Sequence, residues 1–93
     1  MSEISVGTMK SLASLSECLE NLSNKNAKVD ILIAEAIKLG VNTRRLIRSV
    51  LMAVGHDPAH AILRLNKNCG RVAGRHYWYR DDEGRYHVLT EVA

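Results

Sequence analysis

His56 and His60 stand four residues apart, a spacing that brings two imidazoles to one side of a helix and could begin a metal site. No glutamate follows in an H-E-x-x-H pattern. His56 also precedes the cap of the helix that would hold His60, and a third ligand would have to come from Cys69, His76 or His87. The pair is therefore read as solvent-facing or phosphate-facing histidines, and no metal or other cofactor is expected. Nucleophilic catalysis needs a Cys or Ser beside a His and an orienting acid. Cys18 lies near an apolar stripe and Cys69 at a helix end, where a thiol is usually a packing group. There is no glycine-rich phosphate loop, and the carboxylates that cluster do so in a hairpin turn, Asp81-Asp82-Glu83. Catalysis is not expected.

The charged residues that do concentrate are basic. Residues 1–43 carry Lys10, Lys25, Lys28 and Lys38 against Glu3, Glu17, Glu20, Asp30 and Glu35. Residues 44–80 carry Arg44, Arg45, Arg48, Arg64, Lys67, Arg71, Arg75 and Arg80 against Asp57 alone, and Arg85 follows shortly. A segment this one-sided suits a polyanion. Arginine in particular makes two-pronged contacts with phosphate or guanine.

Those side chains must be positioned by a small fold. Ninety-three residues suffice for one domain. Phe is absent and the aromatics, Tyr77, Trp78, Tyr79 and Tyr86, all fall near the end, so the rest of the core must be aliphatic. No apolar run approaches the ~20 residues of a membrane span. MSEISVGTMK lacks the basic-then-apolar order of a signal peptide. The expectation is a cytoplasmic chain with two reduced thiols and no membrane partner.

The spacing of apolar residues predicts four helices. Met9, Leu12, Leu15, Leu19 and Leu22 share one face of a helix from about Thr8 to Leu22. That stripe can either cover the core or pair with its copy in a homodimer. The polar run Ser23 to Asn26 separates this N-terminal element, residues 1–25, from the main domain, residues 26–93. A second helix, Lys28 to Leu39, has a wide apolar stripe and stops at Gly40. A third, Arg44 to Val54, starts after Asn42 or Thr43 and stops at Gly55. A fourth starts at Asp57-Pro58, a cap followed by a proline whose missing N–H is harmless there. After Gly70 the pattern alternates. Arg71 to Arg80 and Arg85 to Leu89 read as a hairpin over residues 71–89, with a four-residue loop pairing Arg80 with Arg85, Tyr79 with Tyr86, Trp78 with His87 and Tyr77 with Val88.

Three helices, a short glycine turn between the last two, and then a hairpin is the order of a winged helix-turn-helix. Ile31 to Leu89 resembles the DNA-binding domains of bacterial winged-helix transcription regulators. Val50 to Pro58 stands as the helix-turn-helix corner, Ala59 to Asn68 as the recognition helix, and Gly70-Arg71-Val72 as the entry to the wing. The chain departs from the pattern at Arg64, where many such motifs are apolar. The resemblance implies a mainly helical α+β fold and a duplex DNA partner. Ala59, His60 and Leu63 or Arg64 would read bases; Lys67, Arg44, Arg45 and Arg48 would meet the backbone. Arg71, Arg75, Arg80 and Arg85 belong to the wing, although its acidic tip would be repelled by phosphate. A second register, Ala36 to Val50, would open its recognition helix with Arg44, Arg45 and Arg48.

The expected function is that of a small transcription regulator. Two alternatives stand beside it. One is a protein-docking module on the same scaffold. The other is a single-strand or RNA binder, in which Trp78, interleaved with His76, Arg80, Arg85 and His87, would stack on bases.

Overall fold

Four polar side chains each close the start of a helix by accepting a hydrogen bond from an otherwise unpaired backbone N–H. Ser5 accepts from Thr8 at 3.1 Å, Asn24 from Ala27 at 3.1 Å, Thr43 from Leu46 at 3.3 Å and Asp57 from Ala59 at 3.0 Å. In a computed structural model that describes residues 4–72 and 75–89, these caps begin α1 (Val6–Cys18), α2 (Lys25–Lys38), α3 (Arg44–Ala53) and α4 (Pro58–Lys67), and a hairpin of β1 (Trp78–Arg80) and β2 (Tyr86–Val88) follows. The chain is thus mainly helical with a small antiparallel hairpin. The outer ends of the two expected segments, residues 1–3 and 90–93, and residues 73–74 of the expected hairpin lie outside the described residues.

The second helix begins three residues earlier than its apolar pattern predicts. Asn24 is a cap rather than part of a linker, so the polar run that was to separate two elements belongs largely to α2 itself. This helix is the centre of the fold and touches α1, α3, α4 and β2. Val29, Leu32, Ile33, Ala36 and Ile37 are buried with Ile47, Val50 and Leu51 of α3, Ala61 and Leu65 of α4, and Trp78 and Tyr86 of the hairpin. Fully burying an aliphatic side chain of this size contributes about 1.5–3 kcal/mol.

Leu12 joins the same core, and Met9, Leu15 and Leu19 pack against it. The apolar stripe of α1 therefore covers the domain core through Leu12, Met9, Leu15 and Leu19. Leu22, the last residue of the stripe, lies beyond the end of the helix and is 40% exposed.

The hairpin register differs from expectation by one residue. Trp78 pairs with Val88, Tyr79 with His87 and Arg80 with Tyr86. The cause is Asp81. Its backbone N–H donates to Arg85 at 2.8 Å, and its side chain accepts from the N–H groups of Glu83 and Arg85, both at 2.9 Å. The loop is thereby cut to three residues, and Gly84 ends it at φ 82°, a left-handed position that disfavours residues with a Cβ. A one-residue slip moves a strand's side chains to the other face. Trp78 consequently faces the core with Tyr86, where both were expected to lie on opposite faces. The Trp78 indole donates to the Leu65 carbonyl at 2.8 Å, satisfying one of the free acceptors at the end of α4.

Two isolated bridges tie the hairpin to the helices. Thr43 pairs antiparallel with Arg85, and Cys69 pairs parallel with Trp78. The Tyr86 N–H donates to Asn42 at 2.7 Å. The α2–α3 junction thus lies beside the start of β2.

His56 holds α1 to the turn before α4: its Nε2 is hydrogen-bonded to Ser16 Oγ at 3.2 Å. Burial, then Lys28, Lys25 and His60, lower its pKa from the ordinary 6.5. The folded chain therefore favours the neutral ring. Between the lowered value and about 6.5 the unfolded chain binds more protons, so stability rises with pH across that window and falls on acidification through it. The urea midpoint is expected to drop between pH 7.5 and pH 5.5, and His56→Gln is expected to shrink that drop. An equal drop in the variant would place the effect on another group.

Candidate nucleic-acid interface

The first turn of α3 holds no acidic residue and opens with Arg44 and Arg45, one turn before Arg48. All three are exposed. Cations at a helix N-terminus oppose the helix dipole, by typically 0.3–1 kcal/mol each. The helix dipole gives no reason for Arg44 here, whereas an anionic partner meeting both its guanidinium group and the helix N-terminus would.

The hairpin adds to this edge of the molecule. The Thr43–Arg85 bridge sets the cap of α3 directly beside β2. Burial holds the Tyr86 hydroxyl above its ordinary pKa, while Arg80 and Arg44 both act on it in the opposite direction. Arg80 and Arg85 are exposed, as are Arg71 and Arg75 before β1. The Arg71 guanidinium lies 4.6 Å from the centre of the Tyr79 ring, and Tyr79 stacks on His87 at 5.1 Å. His87 in turn contacts Asp81 at 2.7 Å. That contact and the N–H groups of Arg85 and Glu83 hold the Asp81 carboxyl below its ordinary pKa. One of the three acids of the hairpin tip is thereby turned into the loop; Asp82 and Glu83 remain exposed.

Helix α4 separates the expected contact residues into two groups. Ala59, Leu63, Asn66 and Lys67 form an exposed stripe opposite the buried Ala61, Leu65 and Asn68. Arg64 is not on that stripe. It grips Asp30 of α2 with Nε at 2.9 Å and Nη2 at 2.6 Å, and Asn68 Nδ2 donates to the same carboxylate at 3.0 Å. The side chains of Arg64 and Asp30 are only 13% and 10% exposed. Arg64 is a brace between helices, not the base reader that the resemblance implies. Its guanidinium is held protonated still more firmly than usual by the bond to Asp30. His60 is half-buried, and its Nε2 is buried without a hydrogen-bond partner among the described residues, which is poor placement for the base contact expected of it. Trp78, fully buried, offers no face to a base.

Among the described residues no three His, Cys, Asp or Glu side chains group as metal ligands. Ser16 and His56 make a serine–histidine contact, but the charged neighbours of His56 are Lys28, Lys25 and His60, none of which can orient the ring as a carboxylate would. Cys18 is exposed and Cys69 half-buried, both as free thiols.

The brace had a signal in the sequence. Asp30 interrupts the inward stripe of α2 and Arg64 interrupts that of α4, and two opposite charges on inward faces call for each other. No helix among the described residues is long and apolar enough to cross a membrane. Comparison of the chain with protein-family models, with curated proteins and with solved structures finds no match.

Proposed function

We propose that the chain binds duplex DNA as a winged helix-turn-helix and acts as a small transcription regulator. In this reading α2, α3 and α4 are the three helices, Thr43 is the short strand of the winged-helix sheet, and β1–β2 is the wing. Helix α4 enters the major groove, and the start of α3 and the stem of the wing lie on phosphates. The observation that carries the reading is the Thr43–Arg85 bridge, which sets the start of α3, with exposed Arg44, beside the hairpin that carries exposed Arg80 and Arg85.

A duplex is favoured over a single strand because Trp78, the aromatic expected to stack on bases, lies in the core. The Tyr79 ring is engaged by both Arg71 and His87. Single-strand binding relies on aromatic faces open to bases. Homodimerisation through α1 forms no part of the proposal, since that stripe covers the core.

Fluorescence anisotropy with a random-sequence duplex and the matching single strand, at low salt, tests the reading. The duplex is expected to bind tighter. Preference for the single strand, or no binding to either, would overturn it.

A further inference from the structure

We infer that α4 reads A·T base pairs through the thymine methyl group, with Leu63 as the principal contact. The inference rests on the duplex reading above and adds a base preference to it.

The outward stripe of α4 is unusual for a surface that should meet a polyanion. Its centre is Leu63, 64% exposed, with Ala59 one turn before it and Asn66 and Lys67 one turn after. Arginine is the common reader of guanine, yet the one arginine of α4, Arg64, is bound to Asp30 and points away from the stripe. Lys67 is the last residue of the helix. It lies about 12 Å along the axis from Ala59 at 1.5 Å per residue, away from the end that reaches base edges. No carboxylate lies on the stripe to receive cytosine's amino group, and Asp57 caps the helix.

What remains is an apolar contact. In the major groove only A·T pairs present an apolar group, the thymine C5-methyl. Leu63 with Ala59 fits it. The arginines on α3 and the hairpin supply the charge complementarity that would bring a duplex, rather than an apolar protein face, to this stripe.

The test compares three duplexes of equal length: an A·T-rich one, the same sequence with every thymine replaced by deoxyuridine, and a G·C-rich one. The uracil duplex differs from the first in the methyl groups alone. Wild-type protein is expected to bind the thymine duplex about fourfold tighter for each methyl it buries, and the G·C duplex more weakly than the thymine duplex. Leu63→Ala is expected to shrink the thymine–uracil difference while keeping salt-sensitive binding to all three. Leu63 is exposed, so the variant keeps the fold, which circular dichroism checks. Equal affinity of the wild type for the thymine and uracil duplexes, with binding still falling as salt rises, overturns the base preference and leaves the duplex reading intact. No binding to any duplex overturns both.

Discussion

Arg64→Leu is expected to destabilise the fold by about 3 kcal/mol, the lower end of the range for breaking a buried ion pair. The penalty comes less from the attraction lost than from Asp30, left as a carboxylate with Asn68 alone to satisfy it. The lower end applies because both side chains keep about a tenth of their surface in water. The double variant Asp30→Leu/Arg64→Leu should be more stable than the single one, since it removes the stranded charge. It should not fully recover the wild-type value, because the buried Asn68 amide then lacks its acceptor, at about 1–3 kcal/mol. Urea unfolding of the wild type, both singles and the double closes the cycle. A change below ~0.5 kcal/mol in Arg64→Leu would mean that the pair behaves like a solvent-screened surface bridge. The brace also fixes the rotation of α4, and so decides which side chains that helix offers outward.

Arg44→Gln/Arg80→Gln/Arg85→Gln is expected to lower duplex affinity by two to three orders of magnitude at about 0.1 M salt. Each ionic phosphate contact releases about 0.9 counterion, and so contributes roughly a factor of eight at 0.1 M relative to 1 M salt. Glutamine keeps much of the stem and some hydrogen bonding, so the loss isolates charge. The three side chains are exposed and their removal leaves the core as it is. The far-ultraviolet circular dichroism and the urea midpoint should stay close to those of the wild type. An affinity within threefold of the wild type would remove this edge from the interface.

How far the sequence could be read differs from element to element. The helices were legible because their signals are local: Asp57-Pro58 starts one, Thr43 starts another, and Gly55 ends α3 at φ 94°, in the left-handed region. Asn24 was misread because a cap next to other polar residues looks like a linker until its bond to Ala27 is seen. The hairpin was recognised but its register was not. Alternation in sequence fixes the period and leaves the loop length open, and here the bonds of the Asp81 side chain choose three residues over four. That single choice decides whether Trp78 is a stacking platform or a core residue. The arginine-rich edge was legible as composition. Its assembly was not, since α3 and the hairpin are joined by pairing between Thr43 and Arg85, residues 42 positions apart. Arg64 was assigned to DNA because the Asp30 that claims it lies 34 positions away.

The most direct measurement is the slope of log affinity against log salt for a random-sequence duplex, with the wild type and the triple glutamine variant side by side. If the α3–hairpin edge lies on phosphates, the wild-type slope is steep and the variant's is shallower by about 2.7, three contacts at about 0.9 each. Parallel slopes for the two proteins, or a wild-type affinity that does not change with salt, would contradict a DNA backbone seated on Arg44, Arg80 and Arg85.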